Sequence, residues 1–214
     1  MIKLCIFDLD GTLIDSVEDL ADSTNYALAR RGLPTHPVKS YYTFVGNGIP
    51  KLIERASGIP QGEPGYQEIY DGFMEYYDAH STDKTVVYDG MPEIVQQINR
   101  RGILCAVLSN KADVFVKQLM ETLFPAASFV RVQGKNDAYP AKPHPASLNA
   151  LIKELGMEKS ECIYVGDSNV EVFTAHNAGI PCIGVEWGFR GREELVAAGA
   201  EFLAQKPFDI LTYL

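Results

Sequence analysis

No CxxC pair, no apolar run of membrane-spanning length and no surplus of basic charge occur in this chain of 214 residues, and each absence closes off a class of function. The four cysteines, Cys5, Cys105, Cys162 and Cys182, each lie inside an apolar run, which reads as buried reduced thiols rather than as a zinc site or a disulfide framework. A reducing, cytoplasmic setting is expected. The four histidines (His36, His80, His144 and His176) lack metal-ligand spacing, so they read as structural or exposed. Lys and Arg number 19 against 28 Asp and Glu, a formal net charge of −9, which repels nucleic acid and anionic membrane. Any anionic substrate must therefore meet a local positive site. The chain begins without the basic start and long apolar stretch of an export signal, so neither export nor membrane insertion is expected.

What is present is the composition of a globular protein, 46% hydrophobic and 22% charged, with enough apolar material for a full core. Five short apolar runs, Ile2 to Phe7, Ile103 to Leu108, Phe129 to Val132, Cys162 to Val165 and Pro181 to Val185, read as strands. Being apolar on both alternating faces, they suit a parallel sheet covered by helices on both sides. Between them, Leu148, Leu151, Ile152 and Leu155 form a helical stripe that stops at Gly156. Pro92 and Gly102 bracket a second helix, and a third ends at Gly179. The alternation predicts an α/β fold, a doubly wound Rossmann-like parallel sheet with ligands beyond the carboxyl ends of its strands.

The alternation breaks between the first two strands, where residues 16–84 read as helix only. They are expected to form a small all-helical cap inserted into a core of residues 1–15 and 85–214. The first cap helix opens with Ser16 three positions before Asp19, a capping-box pattern, and carries Val17, Leu20, Ala21, Thr24 and Leu28 along one face. The last carries Ile69, Phe73, Tyr76 and Tyr77.

Carboxylates dominate the strand ends. In Phe7-Asp8-Leu9-Asp10-Gly11-Thr12, period two places Asp8 and Asp10 on one side of the chain. Two such charges repel by about 4 kcal/mol at roughly 4 Å with an effective dielectric near 20, which calls for a cation, a shared proton or separation into solvent. After the second run, Leu108-Ser109-Asn110-Lys111 offers a hydroxyl and an amide where α/β sheets bind ligands, although the same residues suit a helix cap. Ala141-Lys142-Pro143-His144-Pro145 holds a lysine in a rigid loop, and Gly166-Asp167-Ser168-Asn169-Val170-Glu171 adds two acids one helical turn apart.

In this order and spacing, from Asp8 to Glu171, the set resembles the haloacid dehalogenase superfamily of phosphohydrolases. The resemblance implies an aspartyl-phosphate mechanism with Asp8 as nucleophile and Asp10 as general acid and base. It also implies phosphate-binding or positioning groups at Thr12, Ser109, Asn110 and Lys142. Magnesium would be held by Asp8, Asp10 (through its backbone carbonyl) and Asp167. Oxygen-only ligands of this kind suit Mg²⁺ better than zinc. The family usually has aspartate where this chain has Glu171, and the extra methylene leaves direct and water-mediated metal contact both open.

Within that superfamily, a helical insertion after the first motif marks lidded enzymes of small phosphorylated metabolites. The segment Phe44 to Ala56 and the later Gly184 to Gly191 resemble phosphoglycolate phosphatases, which points to 2-phosphoglycolate as substrate. Gly46, Asn47, Gly48 and Lys51 are then the candidates for substrate recognition in the cap, although a plain turn and a solvated lysine account for them as well. Pyrophosphate, nucleoside monophosphates and sugar phosphates remain alternative substrates, β-phosphoglucomutase chemistry an alternative reaction, and a catalytically silent ligand sensor the non-enzymatic reading. A dehalogenase would lack Asp10. The expected unit is a monomer or a homodimer without nucleic acid or membrane partners.

Overall fold

The computed structural model describes residues 1–124 and 129–214. In chain order it runs β1 (Leu4–Phe7), β2 (Ile14–Asp15), α1 (Val17–Arg30), α2 (Val38–Phe44), α3 (Ile49–Ser57), α4 (Tyr66–His80), β3 (Val86–Val87), α5 (Met91–Arg100) and β4 (Leu104–Ala112). It continues through α6 (Asp113–Leu123), β5 (Arg131–Lys135), α7 (Ala146–Glu154), β6 (Cys162–Gly166), α8 (Asn169–Ala178), β7 (Cys182–Val185), α9 (Gly191–Ala198) and β8 (Phe202–Ala204). Six strands form one parallel sheet in the order β5-β4-β1-β6-β7-β8.

The unbroken apolar runs follow from this architecture. Cys5, Phe7, Cys105, Val107, Ile163 and Val165 face α5 and α6 on one side, while Leu4, Ile6, Ala106, Leu108 and Tyr164 face α7 and α8 on the other. With both faces covered, alternate residues have no solvent to turn toward, so polar alternation disappears. All four cysteines are buried and free. No helix among the described residues is long and apolar enough to cross a membrane.

Helices α1 to α4 fill the interval between β2 and β3, and those two strands pair antiparallel through Ile14 with Val87 and Asp15 with Val86. The chain thus leaves the sheet and returns through one narrow two-stranded neck. The four helices bury Leu20, Leu28, Tyr41, Ile53, Phe73 and Tyr77 in a cluster separate from the sheet's two cores, joined by Phe115 of α6. Side chains of this size contribute about 1.5–3 kcal/mol each on full burial, so the insertion carries a core of its own.

Four local expectations are corrected. Ser16 does precede α1, but its side chain makes no capping bond; its hydroxyl donates to Asp10 Oδ1 at 2.5 Å. Asp19 is buried and accepts the Lys84 and Thr85 backbone N–H groups and the Thr85 hydroxyl, which pins the returning chain to α1. Strand β4 runs on through Ser109, Asn110 and Lys111 with an irregularity in its ladder, and the cap of α6 is Ala112. Strand β5 starts at Arg131 rather than Phe129 and includes the buried Gln133, whose polarity hid the strand's second half.

Candidate active site

The carboxyl ends of β1, β4 and β6 and the loop before α7 converge on one buried group of charges. Asp8 follows β1 directly and is held in line by its backbone N–H donating to Val165 O at 2.9 Å. The chain then turns sharply, with Leu9 O accepting from the backbone N–H groups of Thr12, Leu13 and Ile14. Gly11 makes that turn at φ +85°, and a Cβ there would overlap the Asp167 carboxylate. Glycine is therefore required twice over, for the backbone conformation and for room.

Lys142 lies at the centre. Its ammonium reaches Asp8 Oδ1 at 2.8 Å, Glu171 Oε1 at 2.8 Å, the Tyr164 hydroxyl at 2.9 Å and Leu108 O at 3.1 Å. Burial lowers the proton affinity of this amine, but Asp8 and Glu171 reverse the effect and hold it well above the usual lysine range. Asn110 braces the lysine's backbone, accepting Lys142 N–H at 2.8 Å and donating to Lys142 O at 3.1 Å. The Asn110 amide is engaged there, and at 3.3 Å with Gly46 O of the insertion. Lys142 is thus fixed from both ends.

Asp8, Asp167 and Glu171 are all buried, and each offers an oxygen within 4.8 Å of the others. Burial, offset by Lys142 and reinforced by Glu171, pushes the Asp8 carboxyl up to about 7. Burial, with Glu171 and Asp8 close by, also pushes Asp167 well above the carboxylate range. Three carboxylates in one dry site exceed the positive charge that Lys142 and the more distant Arg190 offer, and their oxygens are the donors a hard divalent cation prefers. Phe189 N–H donates to Asp167 Oδ2 at 2.7 Å and the Ser168 hydroxyl donates to Glu171 Oε2 at 2.5 Å, so both acids are oriented.

Asp10 points elsewhere. Its Oδ1 accepts from Ser16 Oγ at 2.5 Å and from Lys111 Nζ at 2.9 Å. Ser109 is buried, accepts the Lys111 backbone N–H at 3.2 Å and lines a cavity of about 30 Å³ with Asp8, Asp10 and Lys111. The opposite wall comes from the insertion, through Gly46, Gly48 and apolar side chains. Asn47 instead accepts from Arg55, and Lys51 is exposed and paired with Glu54 at 2.8 Å, so neither lines this cavity. Thr12 is fully buried, and its hydroxyl has no partner among the described residues.

Four contributors carried no functional role in the sequence reading: Lys111, Tyr164, Ser16 and Arg190. Lys111 was legible in principle, since period two after Ser109 puts it on the same side of the chain. Tyr164 was concealed inside an apolar run, where only its buried hydroxyl, donating to Leu108 O at 2.7 Å, sets it apart. Arg190 donates to Val45 O at 2.9 Å and Thr43 O at 3.3 Å, tying the loop after β7 to the insertion.

This combination of a parallel sheet, paired aspartates after β1 and a lysine anchored between acids defines a phosphate-ester hydrolase of the haloacid dehalogenase type. Residues 5–185 match the haloacid dehalogenase-like hydrolase family, and the chain belongs to that family. A phosphoglycolate phosphatase of Pseudomonas syringae pv. tomato is 36% identical over 192 residues, covering 87% of this chain and 70% of that protein. One from Haemophilus influenzae is 31% identical over 219 residues, covering 99% and 98% of the two chains. The crystal structure of a predicted phosphoglycolate phosphatase from Haemophilus somnus superposes with a TM-score of 0.92 at 28% identity, covering 99% of this chain and 97% of that one. The protein is a phosphatase, similar to the phosphoglycolate phosphatases.

Proposed function

We propose that the protein hydrolyses 2-phosphoglycolate by a magnesium-dependent route through an aspartyl-phosphate on Asp8. The observation that carries this reading is the Asp8 carboxylate facing the cavity, oriented by Lys142, with Asp10 on one side and the Asp167 and Glu171 carboxylates on the other. Asp8, Asp167 and Glu171 would hold the metal, which supplies positive charge against the phosphoryl oxygens. A carboxylate oxygen of Asp8 forms a bond to phosphorus as the ester P–O bond breaks, and Asp10 hands its proton to the departing oxygen. Asp10 then takes a proton from water as the water oxygen attacks phosphorus and the Asp8–phosphate bond breaks, releasing phosphate. Lys142 and the Ser109 hydroxyl balance charge on the phosphoryl group. Residues 16–84 serve as a lid that excludes water and bulky substrates from the catalytic core. Four buried free thiols suit a cytoplasmic enzyme.

Phosphate release from 2-phosphoglycolate, pyrophosphate, sugar phosphates and nucleoside monophosphates, with and without magnesium, tests the proposal. We expect magnesium-dependent turnover with the highest kcat/KM for 2-phosphoglycolate, and a loss in Asp8→Asn of about 10⁴-fold or more, as for other enzymic nucleophiles. Turnover that survives in Asp8→Asn excludes the covalent route, and a higher kcat/KM on another compound reassigns the substrate.

A further inference from the structure

The cavity contains a second buried ammonium to which the phosphoryl chemistry assigns no task. Lys142 serves the Asp8 side; Lys111, its side chain only 2% exposed, lies on the Asp10 side with Nζ 2.9 Å from Asp10 Oδ1. Burying an ammonium group costs several kcal/mol unless a partner offsets it. Its other neighbour is Tyr77 of α4, whose ring centroid lies 4.9 Å from Nζ. Tyr77 is fully buried, and its hydroxyl, which makes no close hydrogen bond among the described residues, interacts with the Lys111 ammonium. A cation and a weakly engaged hydroxyl therefore sit together, one from the sheet and one from the insertion.

Asp10 is the group that protonates the departing oxygen in the reaction proposed above, so the leaving group must lie beside Asp10. Any anionic substituent one or two bonds beyond that oxygen comes within reach of Lys111. The remaining wall is apolar, formed by Leu20, Val45, Ile49 and Leu52, which disfavours polyhydroxylated groups. The two arginines nearest the loop of Gly46 are turned to its backbone: Arg55 donates to Phe44 O at 2.7 Å and Arg190 to Val45 O at 2.9 Å.

We infer that Lys111, assisted by the Tyr77 hydroxyl, is the specificity-determining residue for a carboxylate on the leaving group, which restricts the substrate to phosphate esters of short 2-hydroxy acids. The inference rests on the phosphatase reading and assigns the substrate's acidic end to named groups in it. A residue that acted only through Asp10 would affect all esters alike, whereas a carboxylate contact discriminates between them.

The test compares 2-phosphoglycolate with ethyl phosphate, which has the same chain length and no carboxylate, in wild type, Lys111→Met and Tyr77→Phe. Wild type is expected to favour 2-phosphoglycolate. Lys111→Met should lower kcat/KM on that ester by about 10- to 100-fold more than on ethyl phosphate, chiefly through KM, as expected for one charged hydrogen bond. Tyr77→Phe should cost about 3- to 10-fold on 2-phosphoglycolate selectively. Equal losses on both esters in Lys111→Met overturn the inference while leaving the phosphatase reading intact. A wild type that favours ethyl phosphate overturns the inference and the 2-phosphoglycolate assignment but leaves a phosphatase, whereas release from neither ester removes the proposed reaction as well. Should Lys111→Met fail to fold, Tyr77→Phe decides, since it keeps the buried ring and removes one hydroxyl: a selective loss supports the inference, and an equal effect or none overturns it.

Discussion

The two walls of the cavity are made by different physics. On the sheet side, Asp8, Asp10, Lys111 and Lys142 come from strand ends and loops, and each of these four groups has an ionic partner within 3 Å. On the insertion side, the lining is Leu20, Val45, Gly46, Gly48, Ile49 and Leu52, without a single ionic group. Charge placed in a dry site acts strongly but must be paired, so the sheet side tolerates little change. Apolar packing is less directional and more forgiving. The difference teaches that the sheet side supplies the charges while the insertion supplies apolar shape, and the two pieces of chain meet at the cavity, at the Arg190 contacts, at Phe115 and at the β2–β3 neck.

That contrast can be broken most severely at Lys142. Lys142→Met leaves Asp8 and Glu171 without their common cation, and we expect a loss of about 3–5 kcal/mol of stability by urea unfolding, with activity abolished on every phosphoester. A loss confined to one substrate would make Lys142, like Lys111, a determinant of selectivity.

In the proposed reaction metal and proton would compete for the same acids, which sharpens the comparison. The folded Asp8 carboxyl sits at about 7 against 3.8 for its ordinary value, so a metal-free fold keeps it protonated at low pH. Stability from that protonated form is lost as pH rises toward 7, the direction for a folded pKa raised above the unfolded one. Magnesium replaces the proton, so its apparent affinity should rise at least about tenfold from about pH 5.5 to about pH 7.5. Thermal shift with magnesium titration measures this; an affinity flat across that range would remove Asp8 from the metal site.

Gly166→Ala probes room instead of charge. A Cβ there would overlap the Glu171 side chain, and we expect about 1–3 kcal/mol of destabilisation together with weaker magnesium binding. The smallest effect belongs to the insertion surface. Lys51→Ala removes an exposed pair with Glu54 and should change stability by less than about 0.5 kcal/mol and kcat/KM by less than about twofold. A larger kinetic change would bring Lys51 into the substrate path.

Legibility followed the same divide. Asp8, Asp10, Lys142 and Asp167 are weak signals one by one, and they were readable as a set through their order along the chain, which resembles the family's. Tyr164 was not, because a tyrosine among apolar residues looks like core, and Lys111, legible in principle from its spacing to Ser109, was passed over because a lysine after Ser-Asn looks like the start of a solvated helix. The capping-box reading of Ser16 failed for a related reason. In a capping box its oxygen would accept the Asp19 backbone N–H, whereas here the hydroxyl is turned to donate to the charged Asp10 carboxylate. Strand β8 was missed because Phe202–Ala204 is three residues long and declares itself only by pairing with β7.

By itself the sequence determined the alternating α/β pattern, the helical interruption after Asp15 and the order of the acidic and basic groups, since these depend on local periodicity and residue chemistry. Only the tertiary structure decided which ammonium meets which carboxylate: Lys142 joins Asp8 across 134 positions and Lys111 joins Asp10 across 101. Such pairings are set by strand order, β1 lying between β4 and β6, and strand order arises from packing the whole sheet rather than from any one segment of it.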